Sequence, residues 1–281
     1  MAGRIKVVTA KRAGFCFGVK RAVDMAFSAA KESERVYTLG PIIHNPQVIE
    51  KLKAEGVQPV ETINSRKIKT LIVRTHGVPR EISEELDRKK YAVIDATCPF
   101  VKKAQNYARL LREEDYQVVI IGDKEHPEVK GLMSYAGPDA IVVNKDDPRP
   151  RLKSRVGVVV QTTQPVSVLK KFVGDTVDLV KELKVFNTIC NSTALRLKET
   201  KSIAEKVDAI IVVGGKNSAN TTQLANFCIS MSVPTYHIET ATEIKEKWFA
   251  DVEKVGITAG ASTPDWIIEE VADRISHIGG R

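Results

Sequence analysis

Three cysteines recur along the chain in one repeated context, and that repeat constrains the fold more than any other feature. Each follows an extended stretch and stands where a helix opens: Gly14-Phe15-Cys16-Phe17-Gly18-Val19, Thr97-Cys98-Pro99-Phe100-Val101 and Ile189-Cys190-Asn191-Ser192-Thr193. Each is followed by a strand ending in a polar turn: Pro41-Ile42-Ile43-His44-Asn45-Pro46, Asp123-Lys124-Glu125-His126-Pro127-Glu128 and Gly215-Lys216-Asn217-Ser218-Ala219-Asn220. The interval is 28 positions each time, from Cys16 to His44, from Cys98 to His126 and from Cys190 to Ser218. A further strand then ends in Arg74-Thr75-His76-Gly77, in Gln161-Thr162-Thr163-Gln164 and in Thr258-Ala259-Gly260-Ala261-Ser262. One module is written three times.

The modules are α/β. Short runs rich in Val and Ile recur at 5–9, 36–39, 70–73, 91–94, 118–121, 141–143, 156–160, 209–213 and 255–258, with helical-period segments such as 19–31 and 100–114 between them. Strands that are apolar throughout and alternate with amphipathic helices predict mostly parallel sheets covered on both faces. In such sheets function gathers at the carboxyl ends of the strands. The expected modules are 15–97, 98–188 and 189–281. After its last helix the first module supplies a strand at 91–94 and the second a stretch at 183–189, whereas the third has none left. The N-terminal segment 1–14 is expected to complete it, closing a pseudo-threefold ring whose equivalent loops meet at one point.

Composition narrows the class. Over 281 residues, 43% hydrophobic and 28% charged with only 17 Gly and 12 Pro exclude disordered and collagen-like chains. No apolar run reaches the roughly 18 residues of a membrane span, and no apolar region follows the basic N-terminus, so no membrane and a cytoplasmic location are expected. Four cysteines spread over such a length are not a disulfide framework, which leaves them reduced, buried or bound to metal. A net charge of +8 favours an anionic partner. Nucleic acid is not expected, because aromatics are 6% and no nucleic-acid-binding motif is present.

The converging loops define candidate chemistry. Three thiols on a pseudo-threefold axis can ligate one centre from three sides, and a helix N-terminus favours the thiolate. A single buried cysteine is more often inert. Three in register reverse that expectation. Structural zinc takes four closed ligands, so Cys16, Cys98 and Cys190 suit an iron-sulfur centre with one iron free of protein ligands. Cys228 has no counterpart in the other modules and reads as core.

The polar turns open further helices, marked by Pro46, Pro79, Pro127 and Pro264. Inward-pointing helix N-termini would suit a phosphate or diphosphate. His44, His76, His126, Ser218, Asn220 and Ser262 are the candidate donors around it. Taken singly, a Ser or Asn there is more often a helix cap. Glu128 is the lone carboxylate in this ring. It is either a first-turn acid on a helix dipole or, in a poorly hydrated site, a general acid.

The runs Gly14 to Val19, Ala96-Thr97-Cys98-Pro99, His126-Pro127-Glu128-Val129, Thr188-Ile189-Cys190, Gly215-Lys216-Asn217-Ser218 and Thr258 to Ser262 closely resemble the 4-hydroxy-3-methylbut-2-enyl diphosphate reductase family, which acts last in the non-mevalonate isoprenoid pathway. The resemblance spans essentially the whole chain. It implies a trefoil of three α/β domains around a [4Fe-4S] cluster on Cys16, Cys98 and Cys190. It further implies an allylic diphosphate held by His44, His76, His126, Ser218, Asn220 and Ser262, with Glu128 delivering protons helped by Thr162. Ala219 departs from the family, many of whose members have a second serine there. No Gly-x-Gly-x-x-Gly dinucleotide fingerprint is present, so reduced ferredoxin or flavodoxin is the expected electron donor. Two rivals each leave half of these features unused: an iron-sulfur redox sensor needs no diphosphate ring, and a metal-free transferase needs no cysteines in register.

Overall fold

The computed structural model describes residues 5–33, 35–43, 45–63, 68–89, 92–144, 147, 150–216 and 218–278. The chain opens with β1 (Lys6–Thr9) and α1 (Phe17–Glu32), then β2 (Val36–Leu39), α2 (Pro46–Ala54), β3 (Val57–Val60), β4 (Thr70–Val73), α3 (Arg80–Arg88) and β5 (Ala92–Asp95). The second repeat runs α4 (Pro99–Glu113), β6 (Gln117–Ile121), α5 (Pro127–Ala136), β7 (Ile141–Val143), β8 (Arg155–Val160), α6 (Val166–Thr176) and β9 (Glu182–Val185). The third runs α7 (Asn191–Ala204), β10 (Ala209–Val213), α8 (Ala219–Ser230), β11 (Thr235–Ile238), β12 (Lys254–Ala259) and α9 (Asp265–Ile278).

Three parallel-sheet α/β modules result. The sheet orders are β3-β2-β4-β5, β7-β6-β8-β9 and β11-β10-β12-β1, and every pairing is parallel. The orders superimpose term by term, with β1 taking the place that β5 and β9 take in the other sheets. Its register runs from Lys6 opposite Lys254 to Thr9 opposite Ile257.

The central strands show why these residues fold so. β6 (Gln-Val-Val-Ile-Ile) and β10 (Ala-Ile-Ile-Val-Val) are buried at every position, since helices cover both faces. Val118 and Ile120 pack against Ala104, Ala108 and Leu111 of α4 and Val129 and Leu132 of α5. Val119 and Ile121 face the other way, toward Leu169 of α6. In the third sheet Ile211 and Ile257 meet Ile268, Val271 and Ile275 of α9, while Ile210 and Val212 meet Leu224 and Cys228 of α8. Burying each such aliphatic side chain contributes about 1.5–3 kcal/mol.

Some details differ from expectation. β3 and β11 did not stand out as strands: both are edge strands, and β3 carries Pro59. β9 ends at Val185 instead of continuing to 189, because the Asn187 side chain accepts the Ile189 N–H at 3.2 Å and turns the chain ahead of Cys190. Position 91, expected at the start of β5, lies outside the described residues.

By contact density the chain divides into two compact units. One comprises Met1–Lys20, Ile43–Ala54 and Asn191–Arg281, and holds the β11-β10-β12-β1 sheet. The other comprises Arg21–Ile42 and Glu55–Cys190, and holds the remaining two sheets.

Candidate active site

Each repeated cysteine is seated by the same hydrogen bond. The Cys98 N–H donates to the Thr75 carbonyl at 2.9 Å and the Cys190 N–H to the Thr162 carbonyl at 2.8 Å. The Cys16 N–H donates to the Ala261 carbonyl at 3.2 Å. All three acceptors lie two residues beyond a strand end, those of β4, β8 and β12. A helix starts at once after each cysteine, and Cys98 is the N-cap of α4 with Pro99 fitted into its first turn. None of the cysteines forms a disulfide, and these three are half-buried. Cys228 is fully buried, and burial pushes its thiol up to about 11, so it lies in the core as the sequence indicated. Cys16 belongs to the first unit, Cys98 and Cys190 to the second. Among the described residues no three His, Cys, Asp or Glu side chains group as a single metal ion would require.

In the second unit the carboxyl of Glu128 is almost wholly buried, at 1% exposure. Its Oε1 accepts the Thr162 N–H at 2.7 Å and its Oε2 the Thr162 hydroxyl at 2.8 Å. Burial raises its pKa to about 7, against these two bonds, which favour the charged form. Glu128 sits in the first turn of α5, whose N-cap is His126. The His126 Nδ1 accepts the Glu128 N–H at 3.2 Å, which places the neutral ring's hydrogen on Nε2. The His76 ring meets that of His126 edge-on, with centroids 5.3 Å apart. Thr162 is in turn steadied by its neighbour Gln161, a buried side chain that accepts the Asp123 N–H at 2.9 Å and donates to the Thr163 hydroxyl at 3.1 Å. Gln161 was visible in the strand-end run, but without a partner there was no reason to single it out.

In the first unit Ser218 caps α8, accepting the Thr221 N–H. Asn220 follows in the first turn, and its Nδ2 is buried without a hydrogen-bond partner. The hydroxyl of Ser262, beyond the end of β12, is likewise buried and unpartnered. A buried, unpartnered amide in the first turn of α8 and a buried, unpartnered hydroxyl beyond β12 fit a site for a polar ligand. The backbone packs closely here: a Cβ at Gly260 would lie 2.0 Å from the Thr221 Oγ1. Lys216 is turned away to an ion pair with Glu243. His44 lies outside the described residues, as does the side chain of Ala219.

Two arginines were not read from the sequence. Arg21 of α1 donates to the carbonyls of Asp95 and Thr97, just ahead of Cys98. Arg196 of α7 donates to those of Gly14 and Ala259, flanking Cys16. The available signal was charge on buried helix faces: Arg196 is 3% exposed.

The sequence profile of a family described as LytB protein matches residues 7–276. A 4-hydroxy-3-methylbut-2-enyl diphosphate reductase of Pelobacter propionicus is 50% identical over 276 residues, covering 98% of this chain and 99% of that protein. That of Geobacter sulfurreducens is 48% identical over 279 residues, covering 99% of each. A solved structure of (E)-4-hydroxy-3-methyl-but-2-enyl diphosphate reductase, described as the terminal enzyme of the non-mevalonate pathway, matches with TM-score 0.78 and 47% identity over 97% of this chain and 99% of that one. The reductase from Plasmodium falciparum matches with TM-score 0.86 and 28% identity, over 96% of this chain and 87% of that one.

Proposed function

The chain belongs to the LytB protein family, and from that premise we propose that it reduces 4-hydroxy-3-methylbut-2-enyl diphosphate to isopentenyl diphosphate and dimethylallyl diphosphate. The reaction takes up two electrons and two protons. The allylic carbon–oxygen bond breaks, a carbon–hydrogen bond forms and the oxygen leaves as water.

The observation that carries this reading is the buried pair of Glu128 and Thr162. With a pKa of about 7, the carboxyl holds a proton near neutrality and can release it there. When Glu128 is ionised, the Thr162 hydroxyl donates to it, as the 2.8 Å contact allows. When it is protonated the bond reverses, the acid donates to Thr162, and the threonine hydrogen is freed toward the departing hydroxyl. A redox sensor would have no use for such a group.

Asn220 and Ser262, orphaned and buried, fit the diphosphate as donors, with Ser218 at the helix start beside them. His126, His76 and His44 complete the set assigned to the anion. Ala219 offers only its main-chain N–H where related chains have serine. The donor set of Cys16, Cys98 and Cys190, three half-buried thiols each at a helix start and none in a disulfide, fits a [4Fe-4S] cluster. When bound, such a cluster supplies electron transfer and a Lewis-acidic iron without a protein thiolate. Reduced ferredoxin or flavodoxin is assigned as the electron source in the cytoplasm. No helix among the described residues is long and apolar enough to cross a membrane.

The test is anaerobic single turnover by Glu128→Gln, which keeps the shape of the side chain and removes the acidic proton. Product formation should fall by about 10²–10⁴-fold with iron content and substrate binding retained. Turnover at the parent rate would remove Glu128 from the proton path.

A further inference from the structure

Arg196 breaks the threefold repeat. It stands six residues after Cys190, where the corresponding positions after Cys16 and Cys98 hold Ala22 and Ala104. All three positions are buried, so the third repeat places a guanidinium where the others place a methyl group. Its Nη1 donates to the Ala259 carbonyl at 2.7 Å and to that of Arg12, and its Nη2 to the Gly14 carbonyl at 2.8 Å. Two residues beyond Gly14 is Cys16, and two beyond Ala259 is Ala261. Those are the donor and acceptor of the bond that seats Cys16. The rigid fork of Arg196 therefore clamps both segments on either side of that bond. The Gly14 turn has no slack: φ is +88°, and a Cβ there would lie 2.9 Å from the Asp265 Oδ1.

The clamp also carries charge. The partners of Nη1 and Nη2 are neutral carbonyls, which leave the cation unneutralised, and the Nε is buried without a hydrogen-bond partner. Burial lowers the Arg196 pKa, opposed by the negative charge of Cys16 and Glu199, with Arg12 adding a like charge. Glu199 is already engaged with the N–H groups of Lys11 and Arg12, at 2.8 and 2.9 Å.

We propose that Arg196 is a positioning residue for Cys16, and that its buried charge raises the reduction potential of the iron-sulfur centre that Cys16 helps to hold. The inference rests on the cluster reading above. Reduction adds one negative charge to the centre, and a desolvated cation close by stabilises the reduced form more than the oxidised one. Lysine at this position would keep the charge and lose the fork. Glutamine would lose both the charge and the fork.

The experiment compares Arg196→Lys and Arg196→Gln with the parent, all purified anaerobically with the centre in place. Each is titrated with dithionite, the one-electron signal being followed by paramagnetic resonance. Amide exchange is read by mass spectrometry in the segments 12–16 and 95–98. In the Gln variant the reduced-to-oxidised ratio at a fixed potential should fall about tenfold, which is about 59 mV for one electron, while the Lys variant stays close to the parent. In both variants the 12–16 segment should exchange about tenfold faster, and the 95–98 segment, held by Arg21, should not change. An unchanged potential in the Gln variant overturns the electrostatic role. Parent-like exchange of 12–16 in both variants overturns the clamp. If the Gln variant takes up no iron, a Lys variant with a lowered potential overturns the electrostatic role, and the exchange comparison still decides the clamp. A parent protein without a cluster would refute the cluster reading, while the exchange comparison would still decide the positioning role.

Discussion

Glu128 ionises near 4.5 in an unfolded chain and near 7 in the fold. Between those values the folded state binds more protons than the unfolded one, so stability is complete below the lower value and is lost as pH rises toward the upper. The loss is of order 3 kcal/mol. The melting temperature of the parent should therefore fall between about pH 4.5 and about pH 7 by more than that of Glu128→Gln, the two being compared by calorimetry over the same range. The single-turnover rate should decline over the same upper limb, as the acid form is depleted. Cysteine chemistry belongs to this scale too. Serine at Cys16, Cys98 or Cys190 should sharply reduce iron content and visible absorbance, whereas Cys228→Ser should keep both and lose stability by about 1–3 kcal/mol, because a hydroxyl replaces a thiol in apolar surroundings. Retention of full iron by any of the first three would remove that residue from the ligand set. These candidates stand out in the sequence because each cysteine shares one context with the others, and because Glu128 is the one carboxylate among the equivalent positions 46, 128 and 220. The partner relations of Gln161 and Arg196 were not legible, since they join residues 38 and more than 180 positions apart that no local pattern connects.

At the level of elements, what could be read was what is buried on two faces. β6, β8 and β10 are mostly Val and Ile, β12 is buried at every position past its first, and the expected bounds of all four lie within a residue of the observed ends. Their helices announce themselves by Pro99 and Pro127 at the first turn. The edge strands β3 and β11 escaped notice because one side of each is left unpaired and their exposure is mixed, so neither a continuous nor an alternating apolar pattern survives. β1 is an edge strand as well, but it was legible for a topological reason: the third module lacked a fourth strand. That pairing predicts a stability effect at the far N-terminal end of the chain. Ile5 is buried in the cluster with Ile257 and Ile268. Ile5→Ala should cost about 2–4 kcal/mol in denaturant unfolding. An effect within experimental error would mean that β1 contributes little to the sheet it completes.

The whole molecule carries +8, and that charge bears on how electrons arrive. The donor proposed above is a separate protein, reduced ferredoxin or flavodoxin. Small acidic redox proteins dock on a basic surface through a long-range field that speeds encounter without large buried area. Salt screens such a field, with a Debye length near ~8 Å at physiological ionic strength and ~3 Å at 1 M. Turnover driven by reduced ferredoxin or flavodoxin should therefore slow steeply as salt rises, chiefly through kcat/KM. Turnover driven by dithionite, a small anion that needs no oriented docking, should respond far less. The substrate is itself anionic, so salt also weakens its binding, and saturating substrate in both assays removes that common contribution. What remains is the difference between donors. A ferredoxin-driven rate as insensitive to salt as the dithionite-driven one would show that the net positive charge does not guide the donor. The net charge would then serve the diphosphate alone.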